Sequence, residues 1–257
     1  DDAIALLMVL GAAPRLGIDL LGITTVGGNA SLARTTRNTM ALLEYAGHGH
    51  IPVARGSARP LEGSYPYAYY FHGPGGISVR LPAPGITPVE AGAVEFLRDR
   101  LLAVPDGVTI VAQGPLTNLA KLLRRYPEAW QRLGRLVVMG GAVDVLGNVT
   151  PYSEFNFFSD PLAADLVLSS GVEVTLVDLS VCRRAAIGRE ELSPLLRGGA
   201  GARLAGRILS NWFKHSPEEE IYELCDPLAM AVAMEPGIIT TLPAEVRVET
   251  QHQHRLG

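Results

Sequence analysis

Two amides and a carboxylate lie close together in Gly147-Asn148-Val149-Thr150-Pro151-Tyr152-Ser153-Glu154-Phe155-Asn156-Phe157-Phe158-Ser159-Asp160, just after the apolar run Leu136-Val137-Val138-Met139. Asn148, Glu154 and Asn156 together offer the donors and acceptors that a small polyhydroxylated ligand such as a sugar requires. An ordinary loop carries Asn and Glu too, so the stretch gains its weight from Asp1-Asp2 at the start and Asp226-Pro227 near the end. Each acidic site reads locally as a helix start, with Asp226 as N-cap and Pro227 at the first helical position. Two acidic helix starts can also converge on a hard cation, since Ca²⁺ and Mg²⁺ take carboxylate and backbone carbonyl oxygens. Spacing alone leaves both readings open.

Further polar groups sit where apolar strands end. Gln113-Gly114-Pro115-Leu116-Thr117-Asn118 joins a strand to a helix but lacks the Lys and extra glycines of a triphosphate loop. Gly27-Gly28-Asn29 lets the backbone approach a ligand, yet is too short for a dinucleotide fingerprint. His72, in Phe71-His72-Gly73-Pro74-Gly75-Gly76 beside Tyr69 and Tyr70, is a candidate for contacting a planar heterocycle. His252 and His254 read as a solvated strand end. There is no Gly-x-Ser-x-Gly elbow.

The elements that must position these groups alternate between strand-like and helical. Helices are expected at 2–11, 31–45 (capped by Ser31), 89–103, 115–124 (opened by Pro115), 161–169, 189–197, 201–215 and from Asp226, with strands at 20–26, 51–54, 108–112, 135–139, 172–177 and 244–249. The long Gly/Pro/Tyr-rich segment 55–88 is expected to be functional or mobile. This alternation implies an α/β fold with a mainly parallel central sheet flanked by helices. In such sheets ligands bind beyond the carboxyl ends of strands, where Asn29, Gln113 and Asn148–Asn156 fall.

At 257 residues, 47% hydrophobic and 19% charged, the chain suits one globular domain. A net charge of −4 without a long basic run argues against nucleic acid. Cys182 and Cys225 form no CxxC, and no apolar run reaches the ~20 residues of a membrane span. A reducing cytoplasm is therefore expected.

Taken in order, the segments resemble the inosine-uridine-preferring nucleoside hydrolase family. The pieces are Asp1-Asp2-Ala3-Ile4-Ala5, Gly22-Ile23-Thr24-Thr25-Val26-Gly27-Gly28-Asn29, Ala33-Arg34-Thr35-Thr36-Arg37-Asn38, His72-Gly73, Gly114-Pro115-Leu116-Thr117-Asn118, Val138-Met139-Gly140-Gly141, Gly147-Asn148, Glu154-Phe155-Asn156 and Asp226-Pro227. The resemblance implies a Rossmann-like core, hydrolysis of ribonucleosides to ribose and free base, and a bound Ca²⁺ at the sheet's carboxyl edge. It implies that Asp2, Asp226 and the main-chain carbonyl of Gln113 ligate the ion. Asp1 and Asn29 would hold the ribose 2′-hydroxyl side, Asn156 and Asp226 the 3′-hydroxyl, and Met139, Asn148 and Glu154 the 5′-hydroxyl. His72 would lie at the nucleobase as a catalytic residue, and a homodimer or homotetramer would be usual.

Two departures follow. The family opens with Asp-x-Asp-Pro-Gly-x-Asp-Asp, and this sequence starts at the last two aspartates, so a single domain lacking its first strand, its presumed catalytic base and its C-terminal end is expected. Such a chain is expected to be catalytically impaired; the alternative is a ribose- or nucleoside-binding remnant. Cys225 stands where many members carry a His that protonates the leaving base, and it reads either as a packed residue or as a poorer acid. An unrelated α/β phosphohydrolase is disfavoured, because no Lys or Arg accompanies the aspartates.

Overall fold

The computed structural model describes residues 1–105, 107–252 and 256–257. In chain order these form α1 (Asp2–Leu16), β1 (Ile23–Thr25), α2 (Leu32–Tyr45), β2 (Val53–Arg55), α3 (Tyr69–His72), α4 (Ala93–Ala103), β3 (Val108–Ala112), α5 (Thr117–Arg125) and α6 (Pro127–Trp130). There follow β4 (Leu133–Met139), α7 (Phe155–Ser159), α8 (Pro161–Leu168), β5 (Val174–Val177), α9 (Leu179–Cys182), β6 (Ala186–Gly188), α10 (Leu192–Arg197), α11 (Ala200–His215), β7 (Ile221–Glu223) and α12 (Cys225–Met234).

The expected α/β architecture with parallel strands under helices is what the chain adopts. β3, β4 and β5 form one parallel block, with Ile110 opposite Leu136 and Val137 opposite Thr175. β1 and β2 form a second parallel block, and β6 pairs β7 antiparallel. The alternation of β4 explains its central place. Leu136 and Val138 pack on one face with Leu119, Leu122 and Trp130, while Val137 and Met139 pack on the other with Leu179 and Val232. Covered on both faces, Leu136 is fully buried, and truncating such a leucine to Ala costs about 2–5 kcal/mol. A separate apolar cluster joins Ile4 and Leu7 of α1 to Leu204, Ile208 and Trp212 of α11.

Several expected boundaries move. α1 runs on to Leu16 through Pro14 and stops at Gly17, whose φ of 64° is the left-handed turn that glycine allows. The strand expected at 20–26 forms a ladder only over Ile23–Thr25, and that at 51–54 shifts to Val53–Arg55. Pro115 lies ahead of α5 instead of opening it, and Ser31 sits at the N-cap of α2 without a side-chain cap bond. Asp226 is no N-cap, because α12 already begins at Cys225 with Leu224 in that position. Ala244–Glu249 forms no strand; Val248 is buried there through packing alone. His254 lies outside the described residues.

The segment 55–88 is tied down by buried polar bonds. Asn118 accepts from Ser57 N–H (2.9 Å) and donates to the Thr25 carbonyl (3.1 Å). Gly56 is required at this crossing, since a Cβ there would stand 2.3 Å from the Thr25 oxygen. Asp160 caps α8 through Ala163 N–H and also accepts from Leu61 N–H and the Thr117 hydroxyl, which in turn accepts from Tyr65. Farther on, Ala68 N–H donates to the Asn29 carbonyl and Ser31 N–H to the Tyr69 hydroxyl.

Candidate functional site

The first turns of α1 and α12 pack together, and this contact brings the acidic residues from the two ends of the chain into one cluster. One carboxylate oxygen from each of Asp1, Asp2 and Asp226 lies within 4.8 Å of the others. The Asp226 N–H donates to Asp1 Oδ2 (3.2 Å), and Asn29 Nδ2 donates to Asp2 Oδ2 (3.3 Å). Both helix N-termini favour negative charge here. Even so, burial and the neighbouring Asp2 hold the Asp226 carboxyl well above the usual carboxylate range. None of the three takes part in an ion pair with Lys or Arg among the described residues. Crowded carboxylates with no Lys or Arg beside them among the described residues fit the donor chemistry of a hard divalent cation.

Beside the cluster, Asn156 ties together the carboxyl ends of β3 and β4. Its Nδ2 donates to the Met139 carbonyl (3.3 Å), to the Gln113 carbonyl (3.4 Å) and to Met139 Sδ (3.3 Å). The Gln113 side chain donates to the Asp226 carbonyl (2.7 Å), joining the amide group to the acidic one. Glu154 is buried at the N-cap of α7: Oε1 accepts from Asn156 N–H (2.8 Å), and Oε2 accepts from Phe157 N–H and Gly141 N–H (3.1 Å each). Burial nevertheless pushes its carboxyl up to about 7, against the pull of these three donors. Gly140 makes room for the turn, since a Cβ there would meet the Phe157 ring at 2.4 Å.

A cavity of about 710 Å³ opens onto this edge, lined by Asp1, Asp2, Asn29, Gln113, Asn156 and His72. Its other wall is aromatic. Trp212 packs edge-on to Tyr222 (4.7 Å between centroids), and Phe71 lies 5.4 Å from Trp212 and 5.0 Å from His72. Burial lowers the His72 imidazole to about 4, so the ring is neutral at pH 7. Acids, amides and an imidazole next to aromatic rings can bind a polar ring joined to a flat, apolar one.

The structure thus brings Asp1, Asp2, Asn29, Gln113, Met139, Asn156 and Asp226 together, with His72 on the same cavity. Asp1, Asp2, Asn29, Gln113 and Asn156 line that cavity; Asp226 and Met139 lie just behind its lining, and Asn148 and Glu154 do not line it. Asn148 Oδ1 accepts from Phe155 N–H (3.0 Å), so both residues shape the turn into α7. Among the aromatic residues nearby, Trp212 lines the cavity, Tyr70 is 83% exposed, and Phe213 is buried in the core beside Trp212. Tyr222 was not singled out; Ile221-Tyr222-Glu223 carries no motif, and its place follows from the β6–β7 pairing. Cys225 packs against Cys182, and that thiol together with burial raises its own well above the ordinary value.

The acidic cluster and the cavity lie at the carboxyl edge of parallel strands in an α/β fold, and comparison with known proteins identifies the family. The model of the "Inosine-uridine preferring nucleoside hydrolase" family matches residues 1–257. The chain belongs to this family, and with it to the hydrolases that act on N-glycosyl compounds. It is 37% identical to Uridine nucleosidase 1 of Arabidopsis thaliana, covering 98% of this chain and 76% of that protein. It is 36% identical to the pyrimidine-specific ribonucleoside hydrolase RihA of Citrobacter koseri, covering 100% and 83%. Among solved structures, a purine-preferring ribonucleoside hydrolase from Gardnerella vaginalis superposes with a TM-score of 0.88 at 30% identity, covering 97% and 83%. The plant nucleoside hydrolase PpNRh1 does so with a TM-score of 0.90 at 29% identity, covering 98% and 81%.

Proposed function

We propose that this chain carries out Ca²⁺-dependent hydrolysis of the N-glycosidic bond of ribonucleosides, giving ribose and free base. The observation that carries the reading is the meeting of Asp226 with Asp1 and Asp2, the last two of which line a cavity together with Asn29, Gln113 and Asn156. Asp2, Asp226 and the Gln113 carbonyl would hold the ion. Bound there, Ca²⁺ supplies an anchor for the ribose diol and acidifies coordinated water.

The residues of the chain do the rest. Asp1 and Asn29 bind the 2′-hydroxyl side of the sugar, and Asn156 and Asp226 the 3′-hydroxyl. Glu154 and Asn148 hold the turn that, with Met139, faces the 5′-hydroxyl. As the glycosidic bond breaks, the ribosyl ring takes on oxocarbenium character, and nearby carboxylates stabilise that positive charge. His72, neutral at pH 7, offers the base a hydrogen bond and an aromatic face; it brings no imidazolium charge. The wall of Phe71, Trp212 and Tyr222 suits a planar base. Uridine is the first substrate to test, because curated relatives carry names for uridine and pyrimidine cleavage. Action in the cytoplasm as a homodimer or homotetramer belongs to the same reading; light scattering tests the oligomeric state.

The test is chromatographic. Uridine and inosine are incubated with the protein in calcium and in EDTA, and free base is measured. Base released in calcium and suppressed by EDTA supports the proposal. Saturable nucleoside binding without any base release would replace it with a binding protein of the same fold.

A further inference from the structure

The aromatic side of the cavity has two faces, and both depend on one helix. Ile208 and Trp212 of α11 line it directly. The facing wall is the arch 71–78, from which Phe71, His72 and Ser78 line the cavity. This arch stands on α11 at both feet. At the first, the Phe71 ring lies 5.4 Å from Trp212 between centroids. At the second, Ser78 Oγ donates to the Ile208 carbonyl (2.8 Å), and Asn211 Nδ2 donates to the Ser78 carbonyl (3.0 Å). Ile208 and Trp212 stand one turn apart, about 6 Å along the helix axis.

Between the feet the backbone is bent and seated. Gly73 and Gly76 hold φ of 79° and 71°, the left-handed region that glycine allows, and Gly76 N–H donates to the Gly73 carbonyl (2.9 Å). A Cβ at Gly76 would stand 2.7 Å from the Ala30 Cβ, so the crown of the arch rests on the residue after Asn29. Asn38 Nδ2 pins the crown through the Gly75 carbonyl (2.9 Å). Beyond Ser78, Val79 is buried in the same apolar cluster as Leu204 and Ile208. With the crown fixed, the gap between the arch and the Trp212 face is governed by the feet. The two Ser78 bonds run in opposite directions between the elements, and a displacement of about 1 Å breaks both.

We infer that Ser78 and Asn211 are positioning residues for specificity: their clasp fixes the gap between the His72 arch and Trp212, and with it the preference between one-ring and two-ring nucleobases. The inference rests on the nucleoside-cleaving reading above. Neither residue acts on the reacting bond, and Asn211 does not line the cavity. It works through Ser78, which carries the end of the arch. When the clasp opens, a one-ring base loses van der Waals reach of one face sooner than a two-ring base does.

The experiment uses the full chain, with Asn211→Leu and Ser78→Ala made separately and together. Base release from inosine and from uridine is measured in calcium. In Asn211→Leu the inosine-to-uridine ratio of kcat/KM should rise at least about fivefold, the weight of one net hydrogen bond, carried mainly by KM for uridine. Ser78→Ala should move it the same way, and the pair by less than the product of the single effects, because either change opens the one clasp. A general weakening of the fold lowers both substrates alike and leaves the ratio where it was. Amide exchange gives a readout without substrate: Gly76 should exchange at least about fivefold faster in Asn211→Leu, with Val138 of β4 unchanged. A wild type that cleaves nucleosides, with a ratio that neither variant moves, overturns the inference and leaves the hydrolytic reading standing. A wild type that releases no base overturns that reading instead, and the ratio is then taken from equilibrium dissociation constants for the two nucleosides. Equal ratios there, no binding, or unchanged Gly76 exchange overturns the inference.

Discussion

Replacing Glu154 by Gln keeps the shape of the side chain and removes its charge, which separates the two influences on this buried carboxyl. In the folded chain the group titrates at about 7, against an ordinary 4.5. Because the folded value is the higher one, the folded state holds the proton more tightly. Its contribution to stability is fully present below about 4.5 and is lost as pH rises through about 7. A gap of about 2.5 pH units corresponds to about 3 kcal/mol in full, of which about 2.5 kcal/mol falls between pH 5 and pH 8. Gln has no such dependence. It brings a different, constant cost: the three backbone N–H groups that converge on two carboxylate oxygens would face one oxygen and one amide nitrogen. An orphaned buried donor costs about 1–3 kcal/mol. Urea unfolding in EDTA, followed by the fluorescence of Trp130 and Trp212, should therefore find Glu154→Gln weaker than wild type at pH 5, with the difference closing by pH 8. Two stability curves that run parallel from pH 5 to pH 8 would refute the reasoning.

Three further outcomes are expected. Asp226→Asn relieves the repulsion within the acidic cluster, so without metal the variant should melt above wild type by a few degrees at pH 7.5. Calcium should stabilise wild type but lose at least about tenfold in affinity for the variant, as read by thermal shift against calcium concentration; equal calcium responses would remove Asp226 from the ion site. Cys225→Ser should leave turnover within about twofold, because a thiol pushed upward in pKa is a poor acid; a hundredfold loss would assign it a role in proton transfer. Gly140→Ala forces a methyl group into the Phe157 ring and should cost about 1–3 kcal/mol in denaturant, with an unchanged midpoint counting against the close packing described.

How much the sequence disclosed depended on whether local signals had partners. Val108–Ala112 is a strand with the expected boundaries, because a β-branched run lies beside β4 in register. The equally β-prone run 20–26 shrinks to three paired residues, since among the described residues it has a ladder on one side only. Ala244–Glu249 has strand propensity but forms no ladder among the described residues, so it stays irregular. For the site, the order of short motifs pointed to Asp1, Asp2, Asn29, Gln113, Asn156 and Asp226, which do converge. It could not show that Glu154 is spent on backbone donors, nor that Tyr222 rather than Tyr70 stands in the aromatic wall. Both depend on packing between elements distant in sequence. The expected capping role of Asp226 failed because one residue of extra helix moved it inside the first turn.

The anchoring of the long Tyr-rich segment bears on how the chain would choose among bases. From Ser57 to Tyr69 it is pegged at intervals of about four residues, to Asn118, Asp160, Thr117, Asn29 and Ser31, and Asn38 holds Gly75 beyond it. His72 and Phe71 ride on a short leash, so that flank of the pocket inherits the stiffness of the interior instead of flexing like a flap. Discrimination on this side would come from what an unyielding contour refuses, and a lesion at Thr117 or Asp160 would loosen selectivity from a distance, without touching the nucleobase.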